Sequence, residues 1–155
     1  MRTISVLFLT ALLIAISDQL TKTWIRSNLA YGQAIPESGF FQITHVQNTG
    51  AAFGLLTDQS VLLAVVASAG VVLLLVYALF FHHRLPFLNN IPGSLALGLI
   101  LGGTIGNLID RLLRGYVTDF ISVSIWPDFN IADSAVTVGA IIVAYSLLQM
   151  VRVEE

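Results

Sequence analysis

The chain has 155 residues, 56% of them hydrophobic and only 10% charged, with a formal net charge of −2 at pH 7. A mean hydropathy of +0.86 places it with membrane proteins, and the length leaves room for one compact unit over residues 1–155. Seven scattered Lys and Arg form no basic stripe, which argues against a nucleic-acid partner, and the lack of cysteine excludes a thiol nucleophile, a disulfide framework and a Cys-bound metal.

Four segments are long and apolar enough to cross a bilayer as helices, which takes roughly 20 residues each. They cover about residues 3–24, 60–81, 92–112 and 133–151, and each is too long and too poor in polar alternation for a strand. The first has the outline of a secretory signal, with Arg2, an apolar core and Ala15-Ile16-Ser17 as a small-x-small site, but is expected to be a true span. Four spans return both termini to one side. The loop after the first span and the loop after the third then share a face, opposite the loop after the second. Lys22, Arg26, Arg111 and Arg114 belong to that shared face, and Arg2, Arg84 and Arg152 to the other, so the positive-inside rule alone does not orient the chain. If Lys22 and Arg111 serve a site rather than topology, the balance tips towards cytoplasmic termini. The His82-His83-Arg84 cluster, beside an apolar end, is expected to face headgroups rather than a metal.

Within the first span Asp18 and Lys22 stand at i and i+4, where pairing offsets the expense of a charge near lipid. In the loop that follows, residues 32–35 suit a short strand, Pro36-Glu37-Ser38-Gly39 a turn and Phe41-Gln42-Ile43-Thr44 a half-buried strand. These predict a small sheet lying on the membrane surface. Asn48-Thr49-Gly50 has the local chemistry of a turn. In the third span Gly98, Gly102 and Gly106 recur every four residues, with Gly103 beside them, as a flat surface for close helix packing. Asn107, Asp110 and Arg111 follow on one side of the helix end, and Asp110 is also spaced to pair with Arg114. The segment between the third and fourth spans is expected to be a loop, with Trp126-Pro127-Asp128 as a turn.

By parity Asp18, Lys22, Asn48, Asn107, Asp110, Arg111, Asp119, Asn130 and Asp133 fall at one membrane face. Taken singly, Asp133 suits a helix N-cap and Asp119 an ordinary interfacial carboxylate. Taken together, Asp119 and Asp133 are the best candidates for chemistry. Two carboxyls held close cannot both ionise and share a proton. The ionised one takes a proton from a water that attacks a carbonyl, and the protonated one donates to the developing oxygen. The product is a cleaved peptide bond. Asp128 is a third candidate, and no serine stands beside a partner base in a recognisable arrangement.

Five motifs carry a resemblance. They are Asp18-Gln19-x-x-Lys22, Gln47-Asn48-Thr49-Gly50-Ala51-Ala52-Phe53, Gly102-Gly103-x-x-Gly106-Asn107-x-x-Asp110-Arg111, Val117-x-Asp119-Phe120 and Phe129-Asn130-x-Ala132-Asp133-Ser134. In this order, with four spans, the chain resembles lipoprotein signal peptidase (signal peptidase II, prolipoprotein signal peptidase) of bacterial inner membranes. The resemblance implies a mainly α membrane protein of four transmembrane helices with a small extracytoplasmic β-sheet. It implies an intramembrane aspartic endopeptidase that removes the signal peptide from a prolipoprotein, cutting before the diacylglyceryl-modified cysteine. It implies Asp119 and Asp133 as the catalytic pair, and Asp18, Lys22, Asn48, Gly103, Asn107, Arg111, Asn130 and Ala132 as residues that line or support the site. Both termini would be cytoplasmic, the site near the outer leaflet, no metal would be needed, and the cyclic peptide globomycin would block it. A monomer is adequate for such a site. Residues 120–132 are short for the family, so the lid expected there is reduced.

Two other classes compete. A small proton-coupled transporter would use intramembrane Asp, Lys and Arg as a relay, but the polar groups gather at one face rather than at mid-depth. A non-catalytic assembly protein would use the glycine face for a partner and leaves the convergent carboxylates unexplained.

Overall fold

The computed structural model describes residues 2–50, 56–81, 84 and 90–153. The four helices are α1 (Arg2–Asn28), α2 (Ser60–Val76, prolonged by a wide π turn, Tyr77–Phe81), α3 (Ile91–Arg114) and α4 (Ile131–Val153). Four strands lie between them: β1 (Ala34–Ile35), β2 (Phe41–Asn48), β3 (Val117–Val123) and β4 (Trp126–Phe129). All four helices are long and apolar enough to cross a membrane. Their ends lie within a few residues of the spans expected from sequence. His82 and His83 lie outside the described residues.

Three local expectations are corrected. The segment between α3 and α4 is not a loop but the β3–β4 pair. Trp126-Pro127-Asp128 is not a turn but the start of β4, and the reversal falls at Ser124 and Ile125. Pro127 is tolerated because β4 is an edge strand, where a missing N–H on the outer side costs no ladder bond. The helix that contains Asp133 begins at Ile131, so its N-cap is Asn130 and Asp133 is the third helical residue.

Helix α3 is the centre of the bundle: half of its span is buried, against 11–17% for the other three. Its start is set by Asn90, whose side chain accepts the Gly93 N–H at 2.8 Å, and by Pro92 in the first turn. Its end is set by Gly115 at φ +78°, a left-handed position that glycine adopts at little cost. The Gly115 N–H closes on Arg111 O at 3.0 Å, and the reversal starts β3 beside the helix end.

The glycines of α3 serve two neighbours. A Cβ on Gly98 would sit 2.6 Å from Leu7 O, and one on Gly102 would sit 2.5 Å from Ala11 O and 2.9 Å from Ala11 Cα, so both admit the α1 backbone. A Cβ on Gly103 would collide with Ala132 O and Val136, so that position admits the start of α4. Gly139 of α4 reciprocates, since a Cβ there would lie 2.7 Å from Ala96 O. Between helices in lipid, close contact of this kind replaces the hydrophobic drive available in water. Leu7, Ala11, Leu97, Leu101 and Ala78 form the apolar core along the same seam.

The strands form one antiparallel sheet in the order β1-β2-β3-β4. Register pairs Val46 with Asp119, Gln47 with Thr118 and Asn48 with Val117. Side chains alternate along a strand, so Thr118 and Asp119 point to opposite faces. A bulge between Ile43 and Val46 interrupts the β2–β3 ladder.

Replacing Gly102 by Val puts side-chain atoms into the α1 backbone, which has no rotamer with which to yield. The expected loss is about 1–3 kcal/mol or more, read as a lower unfolding temperature in detergent. Gly70→Ala, where a Cβ meets nothing within 4 Å, serves as the control and is expected to unfold at the parent temperature or slightly above.

Candidate active site

A buried ion network lies at the end of α1 and α3. Lys22 is fully buried, as are Asp18 and Asp110. The Lys22 ammonium is 2.8 Å from Asp18 Oδ2 and 3.5 Å from Asp110 Oδ2, and it donates to Asn107 Oδ1 at 2.8 Å. Arg26 and Arg114 approach Asp110 Oδ1 at 3.3 and 3.6 Å. Arg26 also donates to Thr118 Oγ1 at 2.9 Å. An unpaired buried charge costs several kcal/mol, so these residues form a set that stands or falls together.

Each buried carboxylate uses its remaining capacity on another element. Asp110 Oδ2 accepts the backbone N–H of Thr118 at 3.0 Å, which fixes the start of β3. Asp18 Oδ1 accepts the backbone N–H of Ala132 at 3.0 Å, which fixes the first turn of α4. Gly106 makes room for this crossing, because a Cβ there would lie 2.6 Å from Asp18 Oδ2. Thr118 and Ala132 are the residues immediately before Asp119 and Asp133.

Asp119 is almost fully buried on the opposite face of β3 from Thr118. Its Oδ2 accepts from Asn48 Nδ2 at 2.9 Å, a diagonal cross-strand contact set by the Val46–Asp119 register. Its Oδ1 accepts from Asn130 Nδ2 at 2.7 Å. Asn130 and Asp133 form a capping box at the start of α4: the Asp133 N–H donates to Asn130 Oδ1 at 3.0 Å, and the Asn130 N–H donates to Asp133 Oδ2 at 3.2 Å. Asn107 Nδ2 donates to Asp133 Oδ1 at 2.7 Å. Asn130 is therefore bonded to both aspartates at once.

Asp119 and Asp133 open into one cleft of about 900 Å³, shared with Asn48, Asn107 and Arg111. Arg111 donates through Nη2 to Gly50 O at 3.1 Å, while its Nε has no partner among the described residues. Burial pushes the Asp119 carboxyl up to about 7, helped by the negative charge of Asp133 and opposed by the amides of Asn48 and Asn130 and the charge of Lys22. A carboxyl in that condition holds its proton near neutral pH and can donate it.

The residues expected at the site divide in two. Asn48, Asn107, Arg111, Asp119 and Asp133 line the cleft. Asp18, Lys22, Gly103, Asn130 and Ala132 lie behind it and hold its members in place. Asn48 ends β2, and its side-chain oxygen accepts the Gly50 N–H at 2.9 Å, so the local turn chemistry and the contact to Asp119 coexist. Of residues 120–132, where a reduced lid was expected, 120–129 belong to the β3–β4 hairpin and the rest to the start of α4, and Trp126, Pro127, Asp128 and Phe129 wall the cleft. Arg26, Thr118 and Gln19 were not expected there. Arg26 lies eight residues after Asp18 and four after Lys22, on the same stripe of α1, and that spacing is the available signal. Gln19 donates to Gly106 O at 2.9 Å; it has no such spacing, and its one signal is its place in the Asp18-Gln19-x-x-Lys22 motif.

Comparison with known proteins gives a consistent result. A family model described as signal peptidase (SPase) II matches residues 10–149. A lipoprotein signal peptidase of Dehalococcoides mccartyi (strain BAV1) is 56% identical over 126 residues, 81% of this chain and 78% of that protein. One from Moorella thermoacetica is 44% identical over 142 residues, 90% of this chain and 91% of the relative. A solved structure described as a bacterial membrane enzyme, determined by the in meso method at 2.3 Å resolution, superposes with a TM-score of 0.83 at 31% identity, covering 96% of this chain and 91% of that one.

The hub position of Asp110 has a measurable consequence. Asp110→Leu leaves Lys22, Arg26 and Arg114 short of a counter-charge and the Thr118 N–H without its acceptor. The expected cost is about 3–5 kcal/mol, seen as a large drop in unfolding temperature in detergent and in the amount of folded protein recovered.

Proposed function

The chain belongs to the signal peptidase II family, and from that membership we propose that it is an aspartic endopeptidase that cleaves signal peptides from prolipoproteins, with Asp119 and Asp133 as its catalytic pair. The cut falls just before the diacylglyceryl-modified cysteine. The observation that carries the assignment is that two carboxylates from different elements open into one cleft, both bonded to Asn130. The whole chain serves as one multi-pass unit of the bacterial inner membrane, active as a monomer.

The geometry supports distinct roles. Asp119 is the more buried and keeps its proton near neutrality, so it is the general acid; Asp133, partly open to the cleft, is the general base. Asp133 takes a proton from water as the water oxygen adds to the scissile carbonyl, and Asp119 gives its proton to the carbonyl oxygen. Collapse of the tetrahedral intermediate returns that proton to Asp119, breaks the C–N bond and passes the proton on Asp133 to the leaving amine. Water is consumed and both carboxyls end as they began. Ala67, Val136 and Val138 supply an apolar wall suited to a substrate whose reacting bond lies beside lipid chains. A globomycin-type cyclic peptide would occupy the same cleft.

Lys22, Arg26, Arg111 and Arg114 are all engaged at the site or its network. Discounting them as topology signals leaves Arg2, Arg84 and Arg152, which favours cytoplasmic termini and a site, with its sheet, at the outer leaflet.

Asp119→Asn and Asp133→Asn are each expected to lower prolipoprotein cleavage by at least ~10³-fold while the protein still accumulates in the membrane. Purified variants assayed on a lipid-modified precursor check this, and wild-type cleavage by either variant would refute the pair.

The raised Asp119 carboxyl also predicts the alkaline side of the pH profile. The acid form is needed, it is retained up to about pH 7, and it is lost above. kcat/KM, which reports the free enzyme, should therefore fall about tenfold per pH unit beyond that point. A flat profile from pH 6 to 10 would contradict the role given to Asp119.

A further inference from the structure

Lys22 has no hydrogen bond to either candidate catalytic aspartate among the described residues, yet its third contact leads to one of them. An ammonium carries three N–H donors and no acceptor. Two of its directions meet Asp18 Oδ2 and Asp110 Oδ2, and the remaining one meets Asn107 Oδ1 at 2.8 Å. Asn107 is an amide with two ends of nearly equal shape, one accepting and one donating. Asn130 Nδ2 also donates to Asn107 Oδ1, at 3.2 Å. With the oxygen claimed from two sides, the Asn107 NH₂ can only face the other way, where it donates to Asp133 Oδ1 at 2.7 Å. Turned over, the amide would place its NH₂ against the ammonium and against the Asn130 NH₂, and its oxygen against the Asp133 carboxylate. All three contacts would be repulsive.

We propose that Lys22 is a positioning residue for the peptidase reaction: by acting as a pure donor it fixes the orientation of the Asn107 amide, which in turn holds the Asp133 carboxylate in the plane from which it takes the proton of the attacking water. The proposal rests on the assignment of Asp133 as the general base. Asp110 also meets Arg26 and Arg114, whereas Lys22 is the one cation that meets Asp18 among the described residues, so the test must separate lost pairing from lost positioning. Lys22 is the member of the network that reaches Asn107 as well as the two carboxylates.

The test is a double-mutant cycle on the full-length enzyme in detergent with a lipid-modified precursor, with kcat taken per folded enzyme. Lys22→Met keeps the stem and removes the donor. It is expected to lower kcat by about 100-fold, the loss typical of one misplaced donor, with KM changed less than about threefold. In an Asn107→Ala background the same change should lower kcat by less than about threefold, because the group through which Lys22 acts is gone. Full additivity would overturn the proposal, since both a general structural role and a through-space effect of the charge would persist without Asn107. Lys22→Arg, which also only donates, should retain at least about tenfold more kcat than Lys22→Met. If Lys22→Met does not fold, Lys22→Gln takes its place in the same cycle: its neutral amide can accept as well as donate and so no longer fixes the Asn107 amide. A wild-type kcat in that variant would sink the proposal, and an about 100-fold loss at unchanged KM would support it. These outcomes are separate from the fate of the carboxylate pair. If Asp133→Asn abolishes cleavage and the cycle is additive, only the role of Lys22 falls.

Discussion

A fully buried ammonium in a bundle of apolar helices dictates much of what surrounds it. Lys22 requires counter-charge, and Asp18 and Asp110 supply it. Each of those carboxylates then has an oxygen facing another element. Asp110 spends it on the Thr118 N–H and Asp18 on the Ala132 N–H. The next residue in each case is one of the two aspartates that open into the cleft. One ion cluster thus anchors the backbone immediately before Asp119, in a strand, and immediately before Asp133, in a helix. Two acids 14 positions apart are placed by the same three charged groups, which ties the precision of the site to the stability of the bundle.

The surroundings of the two acids differ in kind. Asp133 lies in the first turn of α4, where the free N–H groups and the aligned peptide dipoles favour negative charge. Asp119 lies in a strand, nearly without exposure, and among the described residues its oxygens accept from the side-chain amides of Asn48 and Asn130. Asn130 joins the two environments by capping the helix with its oxygen and donating to Asp119 with its nitrogen. A single amide thereby sets the relation between the groups assigned as acid and base. The glycines of α3 make the arrangement possible, since Gly103 and Gly106 let the α4 end and the Asp18 carboxylate reach positions that any side chain would block.

Much of this was legible in the sequence. The four spans follow from length and apolarity, and their even number brings every candidate polar residue to one face. The Asp18–Lys22 and Asp110–Arg114 pairs follow from helical spacing. What escaped were features that depend on tertiary context. Val117, Thr118, Ile121 and Val123 are four β-branched residues in seven, a strand composition hidden by the aspartate at its third position. Pro127 disguised β4, because only the final strand order shows it to be an edge. Asp133 suits a cap by residue type, yet Asn130 three residues earlier suits it equally, and the capping box uses both. Arg26 lay on a visible stripe, but two of its partners come from α3 and β3, 84 and 92 residues away.

The same charge cluster bears on why the chemistry sits at the end of the bundle rather than within it. A relay across the membrane needs polar groups along its depth, and the network here ends where α1 and α3 end. Its three cations are paired in place: Arg26 and Arg114 with Asp110, and Lys22 with Asp18 and Asp110. With three cations on two carboxylates the cluster keeps one formal positive charge, held in fixed pairs rather than passed along a path. What it offers instead is a stiff floor beneath an open cleft, with one wall of sheet and one of apolar helix. The reaction proposed for the two acids, which brings a water and a peptide bond into register, calls for rigidity of that kind more than for a path to the other side.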